Sequence, residues 1–243
     1  MQLSAEAVAV ISTGDTMAAM TAVETRKGRS MGEPECREST AQIGEGKASL
    51  EEVLRTPPES WLAYADLVKK WSERSNLVGA KTEEALREVL FADAVMLCDP
   101  ALLPLGSRFV DVGAGAGAPA IPMLLARPDL SATLVEPRRL RVEFLRAAVE
   151  SLGLTDRCQV LKQKLGTAPL ADAPFDVALS RATFPPQDWL SRAGAIAPRA
   201  VAMVAGRPLP DGKRLLERAY ALPFSGSPRG LALYRVGAKK RRR

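Results

Sequence analysis

The sequence predicts an α/β fold, a doubly wound and mostly parallel Rossmann-like sheet preceded by an N-terminal helical cap. Three observations predict it. From Gly106 onward, short apolar runs alternate with segments of helical period, the pattern of a parallel sheet covered on both faces. The first of these runs ends directly in alternating glycines, Val110-Asp-Val-Gly113-Ala-Gly115-Ala-Gly117. Ahead of it, from Ser49 onward, apolar residues recur at three- and four-residue intervals, the helical spacing.

Residues 1–48 mix Ala, Thr, Ser, Gly, Glu and Lys without period, and the stretch from Arg26 to Lys47 is densely polar, so a disordered extension is expected there. The cap is expected over residues 49–105. Trp61, Leu62, Ala65, Val68 and Trp71 share one helix face, and Leu86, Val89, Leu90 and Met96 share another between Glu83 and Cys98. At that spacing the two tryptophans read as core. Residues 106–238 form the α/β domain: a strand Arg108–Val112, a helix Pro119–Ala126, a strand Ala132–Glu136, then a helix Arg138–Leu152. Strands near Cys158–Lys162 and Phe175–Ser180 follow, then a helix Gln187–Ile196 and a strand Ala200–Ala205. A helix is expected over Asp211–Tyr220 and an edge strand over Arg229–Val236, leaving residues 239–243 as a basic tail.

Composition narrows the chemistry. The 243 residues, 47% hydrophobic and 26% charged, suit one globular domain with an extension, and no run of about 18 apolar residues could span a bilayer. The first twenty residues lack a basic region before their apolar ones, which argues against a secretory signal, so a cytoplasmic protein is expected. Cys36, Cys98 and Cys158 are too far apart for a close-spaced metal cluster and odd in number, so neither metal nor disulfide framework is expected. The chain contains no histidine, which excludes Ser-His-Asp and Cys-His catalysis and His-ligated metals. Of the net charge of +6, Lys239 to Arg243 supply five, so the basicity is largely a tail.

The glycine turn points to a ligand cradled at the carboxyl edge of the sheet. Its G-x-G-x-G spacing is not the dinucleotide G-x-G-x-x-G, and no phosphate-loop motif occurs. Asp111 before the turn and Glu136 at the end of the next strand suit a ligand with an ammonium group and a ribose diol, the features of S-adenosylmethionine. A carboxylate accepts from both ribose hydroxyls and repels a phosphate at the same place.

These residues resemble the GidB (RsmG) family of bacterial small-subunit ribosomal RNA guanine-N7 methyltransferases. The resemblance covers roughly residues 58–238 and rests on Tyr64, Lys70-Trp71, Asn76-Leu77 and Asp93 in the cap. In the core it rests on Arg108-Phe-Val-Asp-Val-Gly113, Gly115, Gly117, Pro119, Ile121-Pro122, Arg127-Pro128, Arg141-Val142, Phe144-Leu-Arg146, Phe175-Asp176 and Ser180-Arg-Ala182. It implies that Gly113, Gly115, Gly117 and Ala118 hold the methionine and ribose portion of S-adenosylmethionine. It implies further that Glu136 takes the ribose, that Lys164 and Leu165 lie by the adenine, and that Arg181 lines the site. Arg181 is the expected catalytic residue, orienting the guanine or an adjacent phosphate. The implied partner is small-subunit ribosomal RNA or its assembling particle, met by a monomer.

The chain departs from the family at three places. Lys164 and Leu165 stand where an acidic residue is usual, Val89 and Leu90 replace an arginine-histidine pair, and Ala205-Gly206 replaces a lysine-glycine pair. A diverged methyltransferase with another RNA or a small-molecule substrate, and a non-catalytic RNA-binding homologue, therefore stay open at this level.

Overall fold

Helix α1 (Leu50–Arg55) starts at Ser49, whose hydroxyl accepts from the Glu52 N–H, and α3 (Glu83–Leu97) starts at Thr82, capping the Ala85 N–H in the same way. Between them α2 (Glu59–Ser72) follows Pro58. The computed structural model describes residues 48–171 and 173–237; the expectations for residues 1–47 and for the tail at 239–243 lie outside them.

The helices dock on the sheet domain through buried aromatics. Trp61 and Tyr64 are fully buried, Trp61 meets Phe91 in a tilted ring contact at 4.9 Å, and its indole N–H donates to the Pro122 carbonyl. Trp71 is half-buried and meets Phe144 edge-on at 5.7 Å. Both tryptophans therefore serve packing, as their helical spacing indicates.

The sheet is built from β1 (Arg108–Val112), β2 (Ser131–Val135), β3 (Cys158–Leu161), β4 (Val177–Ser180), β5 (Arg199–Ala205), β6 (Arg214–Ala221) and β7 (Pro228–Arg235). Helices α4 (Ala120–Ala126), α5 (Arg139–Ser151) and α6 (Pro186–Ala193) make the crossovers. The strand order is β3-β2-β1-β4-β5-β7-β6; β1 to β5 are parallel and β7 is antiparallel to both its neighbours. Residues at the centre of β1, β2 and β4 are buried on both faces, which is why these strands read as continuous apolar runs.

Two expectations fail at the C-terminal end. Asp211–Tyr220 does not form a helix; Arg214–Ala221 is strand β6. Its residues are good helix formers, but Leu216, Arg218 and Tyr220 alternate as half-buried positions with exposed ones between them. Pairing with β7 along the whole hairpin overrides the local preference. For the same reason β7 is no edge strand: it lies between β5 and β6.

Candidate active site at the carboxyl edge

The strand order decides where a ligand can sit. From β1 the chain steps outward to β2 and β3, then crosses to β4 and β5 on the other side, leaving a crevice at the switch point above the carboxyl ends. Val112 lies opposite Val135, and the Ser180 hydroxyl donates to the Val112 carbonyl at 2.8 Å. Gly113, Glu136 and Arg181 thus leave the sheet at one edge.

The glycine turn is pinned from both sides. The N–H groups of Gly113 and Ala114 donate to the Val135 carbonyl at 2.8 and 3.2 Å, and the buried Tyr64 hydroxyl donates to the Ala116 carbonyl at 2.7 Å. All three glycines have positive φ, yet they differ in what surrounds them. A Cβ on Gly113 would collide with Thr183, and one on Gly117 with Ile121 and Leu145. On Gly115 it would make ordinary contacts, with the far end of Arg141 at 3.6 Å and the Gly113 carbonyl at 3.8 Å. Gly115 is thus the member of the turn with room for a ligand. Ala118 is buried just before α4, so it could serve a ligand only through its backbone.

Two buried carboxylates flank this turn. Glu136 accepts from the Gly115 N–H at 3.0 Å through Oε2 and from the Arg138 N–H at 2.9 Å through Oε1. Each oxygen keeps a second lone pair, so a diol can still be accepted. Asp111 is 1% exposed and its Oδ2 has no hydrogen-bond partner among the described residues. Burial pushes its carboxyl up to about 7, against the pull of Arg181 and with a further push from Glu136. An unpaired buried carboxyl oxygen just before a glycine turn can serve as a socket for a cationic group.

Across the crevice, Arg181 follows β4. Its Nη1 donates to the Val89 carbonyl at 2.7 Å and to Asp93 Oδ2 at 2.9 Å, both on α3. Ala182, next in sequence, holds φ at +54°, a strained conformation for a residue with a Cβ. The chain so turned lays Thr183 against Gly113. Lys164 and Leu165 lie in the turn after β3, where the Lys164 carbonyl accepts from both the backbone and the hydroxyl of Thr167. The Lys164 side chain is exposed, and the partly buried Leu165 packs against the core.

The departures in the cap acquire a physical reading. Val89 contributes only its carbonyl to Arg181, which any residue supplies, and Leu90 is wholly buried. Sequence reasoning missed Thr183 and Tyr220, which carry no local signal; Tyr220 donates its hydroxyl to Asp93 Oδ1. The thiols of Cys98 and Cys158 are buried, with burial pushing both up to about 12, so they are inert packing groups. Among the described residues no group of His, Cys, Asp and Glu could hold a metal ion, and no helix is long and apolar enough to cross a membrane.

The GidB family, described as rRNA small subunit methyltransferase G, matches residues 58–192. A protein of Frankia casuarinae named Ribosomal RNA small subunit methyltransferase G is 33% identical over 147 residues, covering 60% of this chain and 53% of the relative. One of the same name from Serratia proteamaculans is 35% identical over 130 residues, covering 54% of this chain and 61% of the relative. The chain thus spans little more than half the length of these curated relatives. A crystal structure of a SAM dependent methyltransferase from Aquifex aeolicus aligns with a TM-score of 0.47 at 20% identity, over 71% of this chain and 98% of that one. With more than half of its length matched by the family, including the glycine turn, both buried carboxylates and Arg181, the chain belongs to the GidB family, rRNA small subunit methyltransferase G.

Proposed function

We propose that this chain is an S-adenosylmethionine-dependent methyltransferase that methylates N7 of a guanosine in the decoding region of small-subunit ribosomal RNA, as a cytoplasmic monomer. The observation that carries the reading is the unpartnered, buried Oδ2 of Asp111 beside Glu136 at the switch point of the sheet. Asp111 offers its free oxygen to the ammonium of the methionine moiety, Gly115 gives the backbone room to approach, and Glu136 accepts from the ribose hydroxyls.

When bound, S-adenosylmethionine supplies an electrophilic methyl group on a sulfonium. Guanine N7 carries an in-plane lone pair, so the protein has no proton to remove first, and a chain without histidine is suited to that chemistry. Its task is orientation. Arg181 keeps Nε and Nη2 free of partners among the described residues while Nη1 is tied to α3. That remaining pair of donors can meet guanine O6 and N7 before transfer, or two phosphate oxygens, side by side. Contact with N7 itself must then be released as the methyl arrives, so a hold on O6 or on phosphate is the productive one.

Support for a polyanionic substrate comes from α5. Its first turn carries Arg139 and Arg141 with no acidic residue, and Arg138 precedes it. Cations at the positive end of a helix dipole are unfavourable by a few tenths of a kcal/mol each, a cost that RNA phosphates would remove.

The test is incubation of purified chain with methyl-labelled S-adenosylmethionine and unmodified small-subunit RNA, naked and in 30S particles, followed by nuclease digestion. Label in 7-methylguanosine is the expected result. Label in another nucleoside would redirect the specificity, and no label in either substrate would leave a non-catalytic RNA-binding homologue.

A further inference from the structure

We propose that Tyr220 is a positioning residue for Arg181, acting through Asp93. The inference rests on the functional reading above and concerns a residue outside the span matched by the family, which ends at 192. Three elements distant in sequence meet here. Tyr220 on β6 donates to Oδ1 of Asp93 on α3, and Oδ2 of the same carboxylate accepts from Nη1 of Arg181 beyond β4. Asp93 is only 8% exposed, so solvent does not readily replace either partner. Burial and the facing carboxylate hold the Tyr220 hydroxyl far above the ordinary phenol range, so it stays a donor at every working pH.

The geometry makes the carboxylate a lever. With Tyr220 holding Oδ1, Oδ2 is aimed at Arg181, and the Val89 carbonyl fixes the same guanidinium nitrogen from the helix backbone. Removing the hydroxyl leaves Oδ1 buried without that donor, and the carboxylate gains its lowest energy by turning to share Arg181 differently or to admit water. Either motion re-aims Nε and Nη2, the donors left for substrate. A merely structural role would look different, because α3 and the residue just past its C-cap have two other ties to the same hairpin. Glu88 accepts from the backbone N–H groups of Phe224 and Ser225, and Asp99 pairs with Arg218. Those ties hold the helix without touching Arg181.

The experiment compares the full chain with Tyr220→Phe and, as a docking control, Arg218→Gln. Guanidinium NMR of arginine-labelled protein reads the restraint directly, with Arg127 as internal reference because it is locked to Asp129 and to the carbonyls of Cys98 and Leu103. Resolved, slowly rotating Nη signals of Arg181 are expected in the parent and in Arg218→Gln, and averaged signals in Tyr220→Phe, with Arg127 unchanged throughout. Single-turnover methyl transfer at saturating S-adenosylmethionine should fall about ten-fold in Tyr220→Phe, with cofactor affinity held within about two-fold. Should Tyr220→Phe fold poorly, Asp93→Asn weakens the same lever and must give the same averaging. Unaltered Arg181 signals in these variants, or transfer by Tyr220→Phe at the parent rate, would overturn the proposal. A parent that transfers no methyl group counts against the function, and the NMR comparison still decides the positioning.

Discussion

The two sides of the crevice are built by different means. On the β1–β2 side, Gly115 and Glu136 are 21 residues apart, and a single βαβ unit brings them together. On the β4–β6 side, Asp93 gathers Arg181 from 88 residues away and Tyr220 from 127. The first side is local and leaves a carboxylate oxygen unpaired; the second is long-range, and Asp93 has a partner on each oxygen. We read the difference as a division of labour: one side waits for a cationic ligand, the other holds a cation of its own in place.

Breaking each side in turn should show this division. The largest effect is expected at Arg181→Ala, where methyl transfer should fall at least about a hundred-fold while S-adenosylmethionine affinity stays within a few fold. Asp111→Asn should do the reverse, weakening cofactor binding about ten-fold or more in calorimetry. It should also change the pH dependence of stability. In the folded chain Asp111 holds its proton up to about pH 7, against 3.8 for an ordinary aspartate. Between those values the folded state binds more protons than the unfolded one, so stability present below about pH 4 is lost as pH rises through 7. Thermal melts across that window should flatten in Asp111→Asn, and above pH 7 the variant should melt higher than the parent.

Smaller effects separate the parts of the glycine turn and the docking of the cap. Gly113→Ala forces a Cβ into Thr183 at φ +80°, at a cost of about 3 kcal/mol in denaturant unfolding. Gly115→Ala should cost only about 1 kcal/mol, for its φ alone, and lose cofactor affinity out of proportion to that. Glu88→Gln should lower stability by about 1 kcal/mol and leave cofactor binding unchanged. Arg139→Gln should weaken RNA binding a few fold and reduce its salt slope by about one.

The same contrast explains what the sequence makes legible. The βαβ unit, the glycine turn and its two acids are visible because each depends on neighbours along the chain. The β6 strand is not, since Leu216, Glu217 and Arg218 favour a helix until β7 pairs with them. Nor is the demand for glycine at 113, which is imposed by Thr183, seventy residues on. Asp93 and Arg181 stand out through family resemblance, yet nothing local joins them, and Tyr220 acquires meaning only when the hairpin sets it against α3.

The buried carboxylates at the switch point are expected to hold S-adenosylmethionine. Calorimetric titration of the full chain, with Asp111→Ala and Glu136→Ala alongside, tests this most directly. Saturable binding with a dissociation constant of about 1–100 µM, lost or strongly weakened in both variants, is the expected result. No binding by the parent, or equal binding by the variants, would contradict it.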